Sequence, residues 1–128
     1  MITISLCMIV RNEEATLARC LNSIKGVADE IIIVDTGSTD TTVDVAKYFT
    51  DKVYSFEWVD DFSAARNFSF SKATMEYLLW LDADDVVLPE DREKLIELKK
   101  TLPREIDVVN MRYNTIFDSN GQPLLSFY

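Results

Sequence analysis

The chain has no histidine among its 128 residues, which removes histidine general bases, Ser-His-Asp triads and imidazole metal ligands in one step. Any metal it binds is held by oxygen or sulfur. Sulfur is scarce too: the two cysteines, Cys7 and Cys20, fall inside an apolar run and on the apolar face of an expected helix, show no CxxC spacing, and read as reduced core residues. With only three glycines and three prolines, no linker, low-complexity tract or internal repeat is visible. Basic residues are outnumbered, 13 Lys and Arg against 22 Asp and Glu, and the formal charge of −9 argues against nucleic acid or an anionic membrane as the main partner. Long apolar runs are missing as well. MITISLCMIV is too short for a membrane span, has no basic residue before it, and leads into RNEE where a signal peptide would place small residues, so a cytoplasmic location is expected.

What the chain does have is 48% apolar residues, enough for one sizeable core, and residues 1–128 read as a single domain or a piece of a larger one. Strand-length apolar runs recur at Ile4 to Val10, Ile31 to Val34, Val53 to Phe56 and Tyr77 to Leu81. They are continuous rather than alternating, which predicts strands covered on both faces. Between them lie helical stripes, Leu17, Cys20, Leu21 and Ile24, then Val43, Ala46 and Phe49. Asn12 is placed to cap a helix opening with Glu13 and Glu14, and STDTT at 38–42 is rich in capping side chains. A third helix is expected from about Phe62 to Ala73, and a fourth after Pro89 that stops at Pro103. The order β-α-β-α-β-α-β-α predicts an α/β fold with a mainly parallel sheet flanked by helices. Asp107 to Phe117 then reads as a longer strand, with Asn120-Gly121 as a tight turn before Leu124 to Tyr128, giving a C-terminal antiparallel hairpin that stops in mid-strand.

In an open parallel sheet, ligands bind beyond the carboxyl ends of the strands. Here those ends carry Arg11-Asn12-Glu13, Asp35-Thr36-Gly37-Ser38, Asp60-Asp61 and Asp82-Ala83-Asp84-Asp85. Several of these have plain structural readings. Asp35-Thr36-Gly37-Ser38 suits a turn as well as a site, Asp60 and Asp61 suit the cap and first turn of the third helix, and Glu13 and Glu14 suit a helix N-terminus. The run LLWLDADDVV is different, because three carboxylates within four positions follow a segment that wants burial, and like charges that close call for a cation. In an extended segment Asp82 and Asp84 point the same way, and such hard oxygen ligands suit Mg2+ or Mn2+, leaving positions for phosphate oxygens and water. A calcium loop fits poorly, since Val86 and Val87 stand where its fifth-position ligand and its glycine belong.

An opening strand followed by MIVRNEE, then IIIVDTGSTDTT, AARNFS and LLWLDADD, in this order and spread over nearly the whole chain, resembles glycosyltransferase family 2, the nucleotide-sugar transferases of GT-A fold. The resemblance implies a Rossmann-like GT-A nucleotide-binding fold and transfer of a sugar from a nucleoside-diphosphate donor, a UDP-sugar being favoured, by an inverting route. It places Val10 and Glu13 beside the nucleobase and ribose, Asp35 and Thr36 at the base, Asp82 at the ribose, and Arg66 at the nucleotide. Asp84 would hold a divalent metal, Mg2+ or Mn2+, bridging the diphosphate, with Asp85 in support. Thr36 departs from the pattern, because many members carry a second Asp there. The family's acceptor side, with its Asp or Glu base, is expected beyond Tyr128, so residues 1–128 would form the donor-binding half, inactive or nearly so alone, with a glycan, lipid carrier or protein as the acceptor.

Three other readings compete. LLWLDADDVVL also fits haloacid-dehalogenase-type phosphatases, with Asp82 as nucleophile and Asp84 as acid/base beside Mg2+. That motif usually closes the first strand and here would close the fourth, while the downstream lysines Lys94, Lys99 and Lys100 are expected on a surface helix. A non-catalytic nucleotide-binding or partner-binding module would use the same fold without chemistry. A phospho-acceptor receiver domain would need its paired acids after the first strand, where Arg11-Asn12 stands.

Overall fold

In a computed structural model of the chain, the described residues are 1–103, 105–106, 113–117 and 123–127, the last two stretches by their backbone. Strands β1 (Ile4–Val10), β2 (Glu30–Asp35), β3 (Val53–Ser55) and β4 (Tyr77–Trp80) alternate with helices α1 (Leu17–Ser23), α2 (Thr42–Phe49), α3 (Phe62–Ser71) and α4 (Pro89–Thr101). The four strands form one all-parallel sheet in the order β3-β2-β1-β4. β5 (Tyr113–Phe117) and β6 (Pro123–Phe127) pair antiparallel as the expected hairpin, and the Asn120-Gly121 turn lies outside the described residues.

β1 sits centrally because its seven residues are the most evenly apolar, and all but Ile9 are buried. Leu6, Met8 and Val10 face α1, whose Leu17, Cys20 and Leu21 join them in the core together with Ile33 of β2 and Ala46 of α2. Each side chain of this size, 0 to 2% exposed, contributes roughly 1.5–3 kcal/mol on burial. On the other face, Cys7 meets α3, its thiol donating to the Ser69 carbonyl at 3.8 Å. Burial pushes the Cys7 thiol up to about 11, with the charge of Glu30 adding to it. Both cysteines are buried and unpaired, as their setting in the sequence predicts.

The expectation that every strand is covered on both faces holds for β1 and β2 and fails for β4. α3 packs over β1 and β2. Leu78 and Trp80, which sit on the α3 side opposite Ser5 and Cys7 of β1, stay 46% and 54% exposed. A continuous apolar run shows that both faces are apolar; it does not show how fully a helix covers each, and here α3 touches Trp80 only through Arg66 and Phe70 among the ring contacts of the described residues.

The N-terminal edge of the sheet is tied by two carboxylates. Glu30 accepts from Ser5 Oγ at 2.7 Å, from Thr74 N at 2.8 Å and Thr74 Oγ1 at 2.7 Å, and from Lys52 Nζ. Asp29 accepts from Ile4 N at 2.9 Å and pairs with Lys99 Nζ at 2.7 Å. Lys99 is therefore buried, 6% exposed, and not the surface lysine its charged helix predicts. It also lies at the edge opposite the strand ends that carry DADD, so it cannot serve a phosphatase centre there.

Burial alone would raise the Glu30 carboxyl, but the bonds from Lys52, Ser5 and Thr74 outweigh it and hold the group at about 2 against an ordinary 4.5. With the folded value depressed, the stabilisation is complete above about pH 4.5 and is lost as pH falls toward 2. At 1.36 kcal/mol per unit this is about 3 kcal/mol. Urea unfolding of Glu30→Gln is accordingly expected to show a loss of that order at pH 7 and a difference from the wild type that narrows below pH 4. Equal stability at pH 7 would show that the four hydrogen bonds contribute nothing net.

Candidate functional site

Because all four strands of the sheet run parallel, their carboxyl ends deliver their loops to one edge. After β1 the chain turns through Asn12, which takes a φ of +53°, a conformation asparagine tolerates better than most residues. The expected helix cap is not its role, since α1 begins only at Leu17. Instead Asn12 Oδ1 accepts from Thr39 N at 2.8 Å and Asn12 N donates to Ser38 Oγ at 2.9 Å, joining the first loop to the second. Glu13 N donates to Thr42 Oγ1 at 2.8 Å and Glu14 accepts from Thr41 N at 2.9 Å, so the STDTT run is occupied by loop-to-loop bonds. Asp40 accepts from Thr42 N at 2.9 Å at the start of α2.

Asp35 ends β2 buried, and both plain and functional readings of its segment find a basis in the geometry. Its carboxylate accepts from Gly37 N at 3.1 Å and Ser38 N at 3.0 Å, and from Ser38 Oγ, with Gly37 at a φ of +116° that only glycine adopts easily. Three of about four acceptor positions are thereby used. Thr36 N and its hydroxyl both donate to the Val10 carbonyl, at 3.1 and 3.4 Å, so Val10 and Thr36 lie side by side at the edge. Asp61 is the cap of α3, accepting from Ser63 N at 3.0 Å and Ala64 N at 3.2 Å, as its plain reading predicts.

The loop after β4 holds the acidic cluster. One carboxylate oxygen from each of Asp82, Asp84 and Asp85 lies within 4.8 Å of the other two. The loop folds on itself: Asp82 N donates to Asp85 Oδ2 and Asp85 N to Asp82 O, each at 2.9 Å. Partial burial, then the charges of Asp85 and Asp84, raise the Asp82 carboxyl above its ordinary range, and Arg66 pulls the other way. Arg66 comes from α3, its guanidinium 5.1 Å from the Trp80 ring centre and 5.5 Å from that of Phe62, and shares with Trp80 and Asp82 the walls of a small cavity.

The predicted residues therefore fall into two groups on one edge, Val10, Glu13, Asp35 and Thr36 at the ends of β1 and β2, and Arg66, Asp82, Asp84 and Asp85 at β4 and α3. Sequence reading did not find the ring pair around Arg66, although the spacing of Phe62 and Arg66 on one helix, four apart, was a signal for it. Nor did it find that α1 touches the acidic loop. Arg19 Nη2 donates to Asp84 O at 3.3 Å, Cys20 Sγ to Asp82 O at 3.5 Å, and Val87 N to Ser23 Oγ at 3.0 Å. Burial first, then Asp85 and Asp84, pushes the Cys20 thiol up to about 12, so it stays a neutral donor.

This architecture, a parallel sheet with its polar loops and an acidic cluster gathered at the carboxyl edge, is a GT-A nucleotide-binding fold. Residues 5–125 match the family model described as Glycosyl transferase family 2, and the chain belongs to that family. The SPbeta prophage-derived glycosyltransferase SunS of Bacillus subtilis is 40% identical over 102 residues, 78% of this chain and 24% of SunS. A TPR repeat-containing protein of Synechococcus elongatus is 48% identical over 90 residues, 70% of this chain and 22% of that protein. Among solved structures, glucosyl-3-phosphoglycerate synthase from Mycobacterium tuberculosis in complex with Mn2+ and UDP-Glc aligns with a TM-score of 0.57 at 28% identity, over 65% of this chain and 33% of that one. S. aureus TarS 1-349 shares the fold, with a TM-score of 0.60 at 22% identity over 75% of this chain and 32% of that one. The chain spans about a quarter of the length of these two curated relatives.

Asn12 gives a direct check on the loop junction. Asn12→Ala is expected to lower stability by roughly 1–2 kcal/mol, through the positive φ and the lost bonds to Thr39, and Asn12→Gly to recover the backbone share. Thermal melts of the two variants measure this, and Gly no better than Ala would contradict the backbone term.

Proposed function

We propose that this chain supplies the donor site of a metal-dependent glycosyltransferase that moves a sugar from a nucleoside diphosphate to an acceptor. The observation that carries the reading is the triad of carboxylate oxygens from Asp82, Asp84 and Asp85, within 4.8 Å of one another at the end of β4, in a chain of this family. Three hard oxygen donors so close fit Mg2+ or Mn2+, the ions that suit carboxylate and phosphate ligands together. Such an ion, when bound, offsets charge on the departing diphosphate as a Lewis acid. The solved synthase that aligns with this chain contains Mn2+ and UDP-Glc, which favours a UDP-sugar here.

The roles follow the two groups at the edge. Val10 and Glu13 flank the base and ribose, and Asp35 offers its remaining acceptor position to the base beside the Thr36 backbone. Asp82 takes the ribose, Asp84 the metal, and Asp85 both supports the metal and fixes the loop through the Asp82 amide. Arg66, held by two rings, brings a cation to the nucleotide beside Asp82 and keeps that carboxyl closer to its ionised form. Because the chain spans about a quarter of the curated relatives, donor binding is its share. The acceptor, and the base that deprotonates it in an inverting transfer, are assigned to none of these residues. A cytoplasmic location is part of the proposal. Among the described residues no helix is long and apolar enough to cross a membrane.

Calorimetric titration of UDP and of GDP, with Mn2+ and with EDTA, tests the reading. Binding of UDP is expected to require metal and to weaken by about tenfold or more in Asp84→Ala, a change of at least about 1.4 kcal/mol. Equal binding with EDTA would remove the metal from the account. Hydrolysis of a generic phosphomonoester, abolished by Asp82→Asn, would replace transfer with the phosphatase reading.

A further inference from the structure

The acidic loop has a mechanical problem that its own bonds do not solve. Three carboxylates within 4.8 Å repel one another, and the segment from Asp82 to Leu88 lies outside helix and strand, so nothing in regular backbone pairing keeps them together. Asp85 ties positions 82 and 85 to each other. Among the described residues, the side-chain bonds that reach the loop backbone from elsewhere come from one element, α1: Arg19 donates to the Asp84 carbonyl at 3.3 Å, Cys20 donates to the Asp82 carbonyl at 3.5 Å, and Ser23 Oγ accepts from the Val87 amide at 3.0 Å. Ser23 is itself fixed, since its hydroxyl donates to the Cys20 carbonyl at 2.6 Å.

We infer that α1 is a positioning element for the cation site, and that Arg19 and Ser23 are positioning residues which hold the Asp82, Asp84 and Asp85 carboxylates at ligand spacing before the metal arrives. This rests on the donor-site reading above. Arg19 and Ser23 lie four apart, on one face of α1, and together with Cys20 they pin the loop at Asp82, Asp84 and Val87, so that drawing Asp84 and Asp85 away from Asp82 strains this set of bonds. A site held in its bound geometry spends less of its binding free energy on ordering.

Arg19 provides a sign test. It is a cation beside an acidic cluster, so through charge alone its removal would strengthen binding of a divalent cation, since like charges repel. Through positioning, its removal weakens binding. Arg92, on the same open cleft as Arg19, Ser23, Val86 and Val87, is the charge control, with no side-chain hydrogen bond to the loop among the described residues.

The experiment is a Mn2+ titration at fixed saturating UDP, read as the free Mn2+ signal in electron paramagnetic resonance, on the wild type, Arg19→Gln, Ser23→Ala, Ser23→Thr and Arg92→Gln, with a thermal melt of each. Losing one such hydrogen bond corresponds to a roughly threefold to tenfold weaker Mn2+ affinity, expected for Arg19→Gln and Ser23→Ala. Ser23→Thr, which keeps the hydroxyl, should return to near the wild-type value, and Arg92→Gln should bind as well as the wild type or better. Wild-type or tighter Mn2+ affinity in Arg19→Gln overturns the inference while leaving the donor site intact. So does failure of Ser23→Thr to restore what Ser23→Ala loses. A wild type that takes up no Mn2+ with UDP present overturns the donor-site reading, and the inference with it.

Discussion

The pairing of β1 on both sides, with β2 and with β4 in parallel register, is the constraint on which the rest depends. Parallel pairing sends the carboxyl ends of all three strands to one edge, and the loops that follow them have to share it. Backbone polar groups that neighbouring loops take out of water need partners, and here the loops supply them to each other. Asn12 bonds to the β2–α2 loop, Thr36 bonds to Val10, and α1 carries the link onward to the loop after β4. The edge is thus one hydrogen-bonded surface assembled from segments far apart in the chain.

Charge is segregated along the strands. At the N-terminal edge, carboxylates are matched by lysines: Glu30 with Lys52 and Asp29 with Lys99. The carboxyl edge has the opposite character, with Asp82, Asp84 and Asp85 crowded together and the guanidinium of Arg66 shared between two aromatic rings. Carboxylates are balanced at one end and left close together at the other, and the proposed cation site rests on that contrast. Partial burial and its two acidic neighbours raise the Asp82 carboxyl above its ordinary value.

Much of this was legible in the sequence where the signal was local. β1 has the bounds that its apolar run predicts, α4 starts at Pro89 and ends before Pro103, and the alternation of apolar runs with helical stripes was enough to put DADD at a carboxyl edge. What could not be read depends on partners distant in sequence. Asn12 looks like a helix cap because capping and loop bridging use the same residue type, and only the fold shows that its partners are 26 and 27 residues away. Lys99 reads as solvent-facing in a charged helix until Asp29 is found beneath it. The open face of β4 follows from how far α3 reaches, which no property of YLLW determines. The roles of Arg19 and Ser23 carry no motif, because a side chain that holds a backbone carbonyl leaves no trace in the sequence of the loop it holds.

In the proposed function, Asp84, with Asp85 in support, holds a divalent cation together with a nucleoside diphosphate whose ribose meets Asp82. Crystals of the protein grown with Mn2+ and UDP, measured at the manganese absorption edge, test it most directly. One strong anomalous peak is expected in contact with the Asp84 carboxylate, within the Asp82, Asp84 and Asp85 cluster, with diphosphate density touching the same ion. UDP bound at the strand ends with no manganese among these carboxylates, or manganese bound only elsewhere on the molecule, would contradict it.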